Sequence, residues 1–142
     1  MALSEEERES FLAEPHVAAV AVARGDGQGP MVVPIWYGYE IGGEVWIDTE
    51  AESLKAKKII AAGRFSLMVD RVEPTPKYVS VEGPVTGVSP VSSAEHKEMA
   101  ARYLSGAALE EYVEWFEGAL GSMVRIRMRP ERWLSADLGM PA

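Results

Sequence analysis

The sequence predicts a mainly β (α+β) fold: a six-stranded antiparallel barrel with helices at its periphery. Three observations predict it. Met31–Tyr39 and Lys77–Val88 alternate with the period of two that puts successive side chains on opposite faces of a sheet. Neighbouring strands are joined by short turns more often than by helices, which reads as an antiparallel meander and not as βαβ units. A sheet of this length has edges to protect, and closing it into a barrel removes them. The 142 residues suffice for one domain with a real core, and residues 1–142 are read as that single domain.

Ser4 and Glu7 have capping-box spacing, predicting a helix from Glu5 to about Ala13 that Pro15 ends. Val17–Val22 reads as a buried strand. The turn residues Gly25–Pro30 then form a hairpin loop, since neither a helix nor a Gly-Lys-Ser/Thr triplet follows the glycines. In the strand Met31–Tyr39, Val32, Pro34, Trp36 and Gly38 share one face, and Val33, Ile35, Tyr37 and Tyr39 the other. Both faces carry large apolar groups, so one is expected to meet the core and the other a partner or a flat ligand. A tight turn at Ile41–Glu44 leads into the strand at Val45–Ile47. A helix follows over Ala51–Ala62, then a strand at Arg64–Val69, a loop at Asp70–Pro76 and the strand Lys77–Val88, bent at Gly83–Pro84. Ser92–Leu104 and Ala108–Leu120 read as helices, the second with Tyr112, Trp115 and Phe116 on one stripe. Ser122–Arg129 is the last long strand, and Arg132–Ala136 has room for a short final one.

Composition removes several classes of function. A formal net charge of -8 argues against a nucleic-acid surface, which is basic as a rule. Without cysteine there is no disulfide, thiolate zinc site or thiol nucleophile, in keeping with a cytoplasmic protein. No apolar run approaches the roughly 20 residues of a membrane helix, and the acidic start MALSEEERESF is unlike a signal peptide. His16 and His96 are far apart in sequence, and neither belongs to a metal or catalytic-serine motif; His96 is expected on an exposed helix. An enzyme built from these residues needs a cofactor to supply the hard chemistry.

The stretch Trp46–Arg64, WIDTEAESLKAKKIIAAGR, joins a strand to a helix and gathers Lys55, Lys57, Lys58 and Arg64 in an acidic chain. Amides at a helix start and nearby cations both favour a phosphate. On spacing alone the cluster fits either a solvated helix face or an anion site.

The segments VVPIWYGY (Val32–Tyr39), WIDTEAESLKAKKI (Trp46–Ile59), RFSLMVD (Arg64–Asp70), YVSVEGPV (Tyr78–Val85) and RIRMRPERWLSAD (Arg125–Asp137) resemble, in that order, the pyridoxamine 5′-phosphate oxidase-like split-barrel flavoproteins. The likeness extends to their flavin/deazaflavin oxidoreductase branch. The resemblance implies a split barrel that binds FMN, or alternatively the deazaflavin coenzyme F420. It places the phosphate on Thr49, Ser53 and Lys55. It extends the cofactor site to Pro34, Ile47, Asp48, Leu54 and Tyr78, with Trp36 as a wall for the ring. Lys58 stands where the family commonly has asparagine, and Arg132–Trp133–Leu134 lacks the histidine of the pyridoxamine phosphate site. Lys57, Lys58 and Arg64 either bind the longer anionic tail of the deazaflavin or face solvent.

The implied function is hydride transfer between that cofactor and a small organic substrate, by a cytoplasmic homodimer with its ring in a groove between subunits. Excess apolar surface at Trp36, Tyr37 and Tyr39 also points to a dimer. Pyridoxamine phosphate oxidation itself is not expected, nor a nucleic-acid or membrane partner. The alternatives are a non-catalytic flavin- or haem-binding protein and a scaffold whose dimer surface is its function.

Overall fold

A computed structural model describes residues 1–118 and 120–140. Helix α1 (Glu5–Ala13) begins on the expected capping box, with the Glu7 amide donating to Ser4 Oγ at 3.1 Å. Strands β1 (Ala18–Val22) and β2 (Met31–Ile35) form a hairpin. Gly25, Asp26 and Gly27 all take positive φ in its loop. Strand β3 (Tyr37–Tyr39) turns into β4 (Val45–Glu50), and helix α2 (Leu54–Ala62) leads to β5 (Arg64–Arg71). Strand β6 (Lys77–Pro90) precedes helices α3 (Ser93–Ala101) and α4 (Gly106–Glu117), and β7 (Met123–Met128) and β8 (Arg132–Asp137) close the chain. The expected helix end at Leu120 takes in Ala119, which lies outside the described residues; α4 closes at Glu117.

All pairings are antiparallel, in the order β2-β1-β5-β6-β7-β4-β3, with β8 on β6. Among the described residues there are eight strands where the sequence predicts six. Met31–Tyr39 breaks at Trp36 into β2 and β3, and Arg132–Asp137 is a full strand. Strands β2 and β3 stand at opposite ends of the order, so across this seam the barrel is joined by the covalent chain at Trp36 and not by a ladder.

Strand β6 carries the curl. Its first half pairs with β5 up to Pro84, and from Val85 it pairs with β7. The register shift falls between Val85 and Gly87, slightly beyond the expected Gly83–Pro84. Gly83 has a different duty, since a Cβ there would lie 1.7 Å from the Arg129 carbonyl oxygen.

The interior is filled by alternate residues such as Val20, Ile47, Leu67, Val81, Ile126 and Met128, with Phe11 and Leu12 of α1 and Ala56 and Ile59 of α2 in the same cluster. Tyr37 and Tyr39 also belong to it. The apolar excess expected at Trp36, Tyr37 and Tyr39 is therefore absorbed within the chain, and that argument for a dimer falls. Exposed apolar side chains lie elsewhere, among them Pro34, Met68 and Leu134 on a row across the sheet that also takes in Ala19 and Ser80. Among the described residues no helix is long and apolar enough to cross a membrane.

Replacing Gly83 by alanine forces β6 away from the Arg129 carbonyl. Overpacking of this kind costs about 1–3 kcal/mol, so the urea midpoint of Gly83→Ala should fall with an unchanged m value.

Candidate functional site

Strand β4 outruns its neighbour. Tyr37, the first residue of β3, pairs with Ile47, so Asp48, Thr49 and Glu50 have only β7 beside them. The chain then turns at Ser53, the N-cap of α2, whose Oγ accepts from the Ala56 amide at 3.1 Å. Thr49 Oγ1 lies 3.3 Å from Ser53 Oγ, so two hydroxyls meet at the helix start. The amides of Leu54 and Lys55 have no acceptor among the described residues.

The cations of this segment divide sharply. Lys57 is exposed and pairs with Glu52 at 3.3 Å. Lys58 Nζ donates to the Arg24 carbonyl at 3.2 Å. Arg64 reaches Glu131 at 3.3 Å and Glu82 at 3.8 Å. Lys55 has no carboxylate partner among the described residues, and burial pushes its ammonium below the ordinary lysine value. A half-buried cation without a counter-charge favours an anion beside it.

At the seam, Trp36 is half-buried and stacks on Tyr103, with ring centres 4.9 Å apart and planes 9° from parallel. Tyr112 packs on it at 5.1 Å, tilted by 51°. The Tyr103 hydroxyl accepts from the Tyr37 amide at 3.1 Å and donates to the His16 carbonyl at 2.8 Å, satisfying backbone that a closed ladder would otherwise pair.

Beneath α3 and α4 lies a polar cluster that the sequence reading missed. Asp48 and Arg125 are cross-strand partners, with Arg125 Nε 2.7 Å from Oδ1 and Nη2 3.0 Å from Oδ2. His96 Nδ1 lies 2.8 Å from Asp48 Oδ2, and Nε2 lies 2.9 Å from the Tyr112 hydroxyl. His96 is 2% exposed, so the helix face expected to be exposed is buried at this position. The signal was there: His96, Met99 and Ala100, at i, i+3 and i+4, are the buried face of α3.

The remaining sequence-predicted site residues are dispersed. The Ile47 side chain is in the core, and that of Asp48 is spent on Arg125 and His96. Leu54 is exposed at the start of α2. Pro34 and Tyr78 both face outward, on β2 and β6, with β1 and β5 between them; three spacings of ~4.8 Å separate the strands, and Tyr78 lies a further two residues along β6 from Pro34's row.

The model of the pyridoxamine 5′-phosphate oxidase family matches residues 4–136. The chain belongs to this family. Among solved structures it is similar to an F420 reductase, at 23% identity over 89% of this chain and 94% of that one, with a TM-score of 0.71. A conserved hypothetical protein from Mycobacterium tuberculosis has 25% identity over 100% and 91%, with a TM-score of 0.75. An FAD-binding protein from Mesorhizobium loti has 25% identity over 95% and 94%, with a TM-score of 0.66. No curated protein matches the chain. The oxidase family's split barrel is thus the fold of this protein, with the split at Trp36 and the strand-to-helix turn of Thr49, Ser53 and Lys55 close along the chain to the Asp48 cluster.

Burial by itself pushes the Asp48 carboxyl up, but hydrogen bonds from His96 and Arg125 and the Arg125 charge outweigh it and hold the group below its ordinary value of 3.8. A carboxyl depressed by folding contributes stability that is complete above its ordinary value and is lost as pH falls through the lowered one. Asp48→Asn should therefore flatten the acid limb of stability against pH. The slope left over belongs to Glu7, Glu9 and Glu95, which are also depressed. At neutral pH the loss should sit toward the lower end of the roughly 3–5 kcal/mol for a broken buried pair, because Glu95 still faces Arg125 at 3.3 Å. Urea denaturation at stepped pH measures both effects.

Proposed function

We propose that the protein is a flavin-type oxidoreductase that binds FMN, or alternatively coenzyme F420, and transfers hydride to or from a small organic substrate. The observation that carries this reading is Lys55, a half-buried cation with no carboxylate partner among the described residues, at a helix start where Thr49 and Ser53 bring two hydroxyls to 3.3 Å. Donor set and charge fit a phosphate: one ammonium, the hydroxyls, and the open amides of Leu54 and Lys55. When bound, the cofactor's ring supplies the hydride chemistry. The chain's own part is to hold the phosphate, to offer the flat face of Trp36, and to keep that face oriented by its stack on Tyr103.

FMN comes first of the two because Lys57, Lys58 and Arg64, the candidates for an anionic tail, are engaged by Glu52, Arg24 and Glu82 with Glu131. Haem binding finds less support. His96 is engaged at both ring nitrogens, and His16 Nε2 is occupied by the Phe11 carbonyl at 3.0 Å. Leu134 in place of the family's histidine argues against pyridoxamine phosphate as substrate. A cytoplasmic location accords with the absence of cysteine.

We also propose a homodimer, formed on the outer face where Val32, Pro34, Met68 and Leu134 are exposed, Leu134 by 69%. Sedimentation at micromolar concentration should give twice the chain mass, and Met68→Glu should give one. A wild-type monomer with and without cofactor would sink the proposal.

The cofactor reading is tested by the absorption spectrum of the purified protein, by turnover with reduced cofactor, and by fluorescence titration with FMN and F420 at fixed salt. Lys55→Met removes a charge-assisted hydrogen bond of about 1.5–3 kcal/mol, so affinity should fall about ten- to a hundredfold. Lys57→Met should change it far less, since Lys57 faces solvent and Glu52. Equal losses at both would mean a diffuse basic patch, and cofactor binding without turnover would make the protein a carrier.

A further inference from the structure

We infer that His96 is a positioning residue that ties together the two ends of the candidate cofactor site, the phosphate-binding turn and the Trp36 wall. The inference rests on the reading of Thr49, Ser53, Lys55 and Trp36 as that site.

The tie is visible atom by atom. On one side His96 Nδ1 meets Asp48 Oδ2 at 2.8 Å, and the next residue in the chain is Thr49. On the other side Nε2 meets the Tyr112 hydroxyl at 2.9 Å, and the Tyr112 ring packs on Trp36 at 5.1 Å. Asp48 is held as a carboxylate by Arg125 and can only accept, so His96 Nδ1 carries a proton. In the neutral ring Nε2 is then an acceptor, and the Tyr112 hydroxyl donates to it. In that neutral tautomer each group has one role, and the chain Asp48–His96–Tyr112 has one direction.

Two features mark this as more than packing. The last three residues of β4 lack β3 as a neighbour, so hydrogen bonds to the Asp48 side chain supply part of the restraint that a second ladder would give. Asp48 and Thr49 also point to opposite faces, so fixing one side chain fixes the direction of the next. Trp36, in the break between β2 and β3, takes its orientation from Tyr103 and Tyr112 rather than from a ladder. A buried imidazole is also a costly filler, since both nitrogens must be satisfied, whereas phenylalanine would fill similar volume without that demand.

The test compares His96→Phe, His96→Asn and Tyr112→Phe with the wild type, in two measurements. One is the amide and indole spectrum of the cofactor-free protein by nuclear magnetic resonance; the other is FMN affinity by titration. His96→Phe should shift the amides of Thr49, Ser53 and Lys55 together with the Trp36 indole signal, and weaken FMN about tenfold, as the loss of one well-placed hydrogen bond does. His96→Asn, whose amide can still donate to Asp48, should return the Thr49 and Ser53 signals toward wild type and leave Trp36 shifted. Tyr112→Phe removes one oxygen and should move the Trp36 signal alone; it carries the test if His96→Phe does not fold. A histidine that only fills space would lower the melting temperature and leave both sets of signals and the affinity in place, which would overturn the inference while the cofactor reading stands. Wild-type protein that binds neither FMN nor F420 removes the cofactor reading, and this role with it.

Discussion

The pairing of Asp48 with Arg125 is the constraint on which the docking of α3 over the sheet depends. It lies across β4 and β7, is almost wholly buried, and uses both carboxylate oxygens. An ion pair of this kind adds little net stability, because desolvating both charges offsets most of their attraction. Its contribution is discrimination. A one-residue slip between β4 and β7 would bury an unpaired charge and turn Ile47 and Thr49 to the wrong face. The same pair receives Glu95 at Arg125 and His96 at Asp48, so the helices above the sheet dock in one orientation. Core residues alone, which interchange at modest cost, would not impose that choice.

The second constraint is the open seam. An antiparallel barrel that closed fully would pair β2 with β3, but these strands are consecutive and meet at Trp36. The unpaired backbone there is satisfied by the Tyr103 hydroxyl, which reaches both the Tyr37 amide and the His16 carbonyl. One consequence is an aromatic surface at the break, made by Trp36 on Tyr103 and Tyr112. Another is a β4 end with a free side, running directly into the helix start at Ser53. The gap in the barrel and the candidate site are therefore produced by the same interruption of the strand. Loops and strand ends carry binding groups for this general reason: regular ladders leave no donors to spare.

Much of this was legible in the residues themselves. The period-two runs at Met31–Tyr39 and Lys77–Val88 gave strands, the spacing of Ser4 and Glu7 gave the first helix, and Ser53 before a lysine-rich amphipathic run gave the start of α2. The division among the four cations was legible in part: two positions along a helix set Lys57 about 200° around from Lys55, whereas the partners that Lys58 and Arg64 find were not legible. Lys55 and Lys57 are equivalent by composition, and they differ because one is half-buried while the other meets Glu52. Nor was the fate of Tyr37 and Tyr39, since alternation assigns a residue to a face without saying what covers that face.

The sequence by itself determined the local elements and the gathering of lysines behind a strand-to-helix turn, because capping, alternation and helix starts are set by residues within a few positions of one another. The tertiary structure decided which polar groups meet. Asp48 and Arg125 are 77 positions apart, and Asp48 and His96 are 48 apart. Their contact depends on the register of β4 against β7 and on the docking of α3, and no local pattern encodes either. Register follows from burying one whole face of each strand at once, a property of the assembled barrel and not of any segment. For that reason His96 reads in sequence as a lone histidine on a polar helix, and in the fold as a buried ring held between Asp48 and Tyr112.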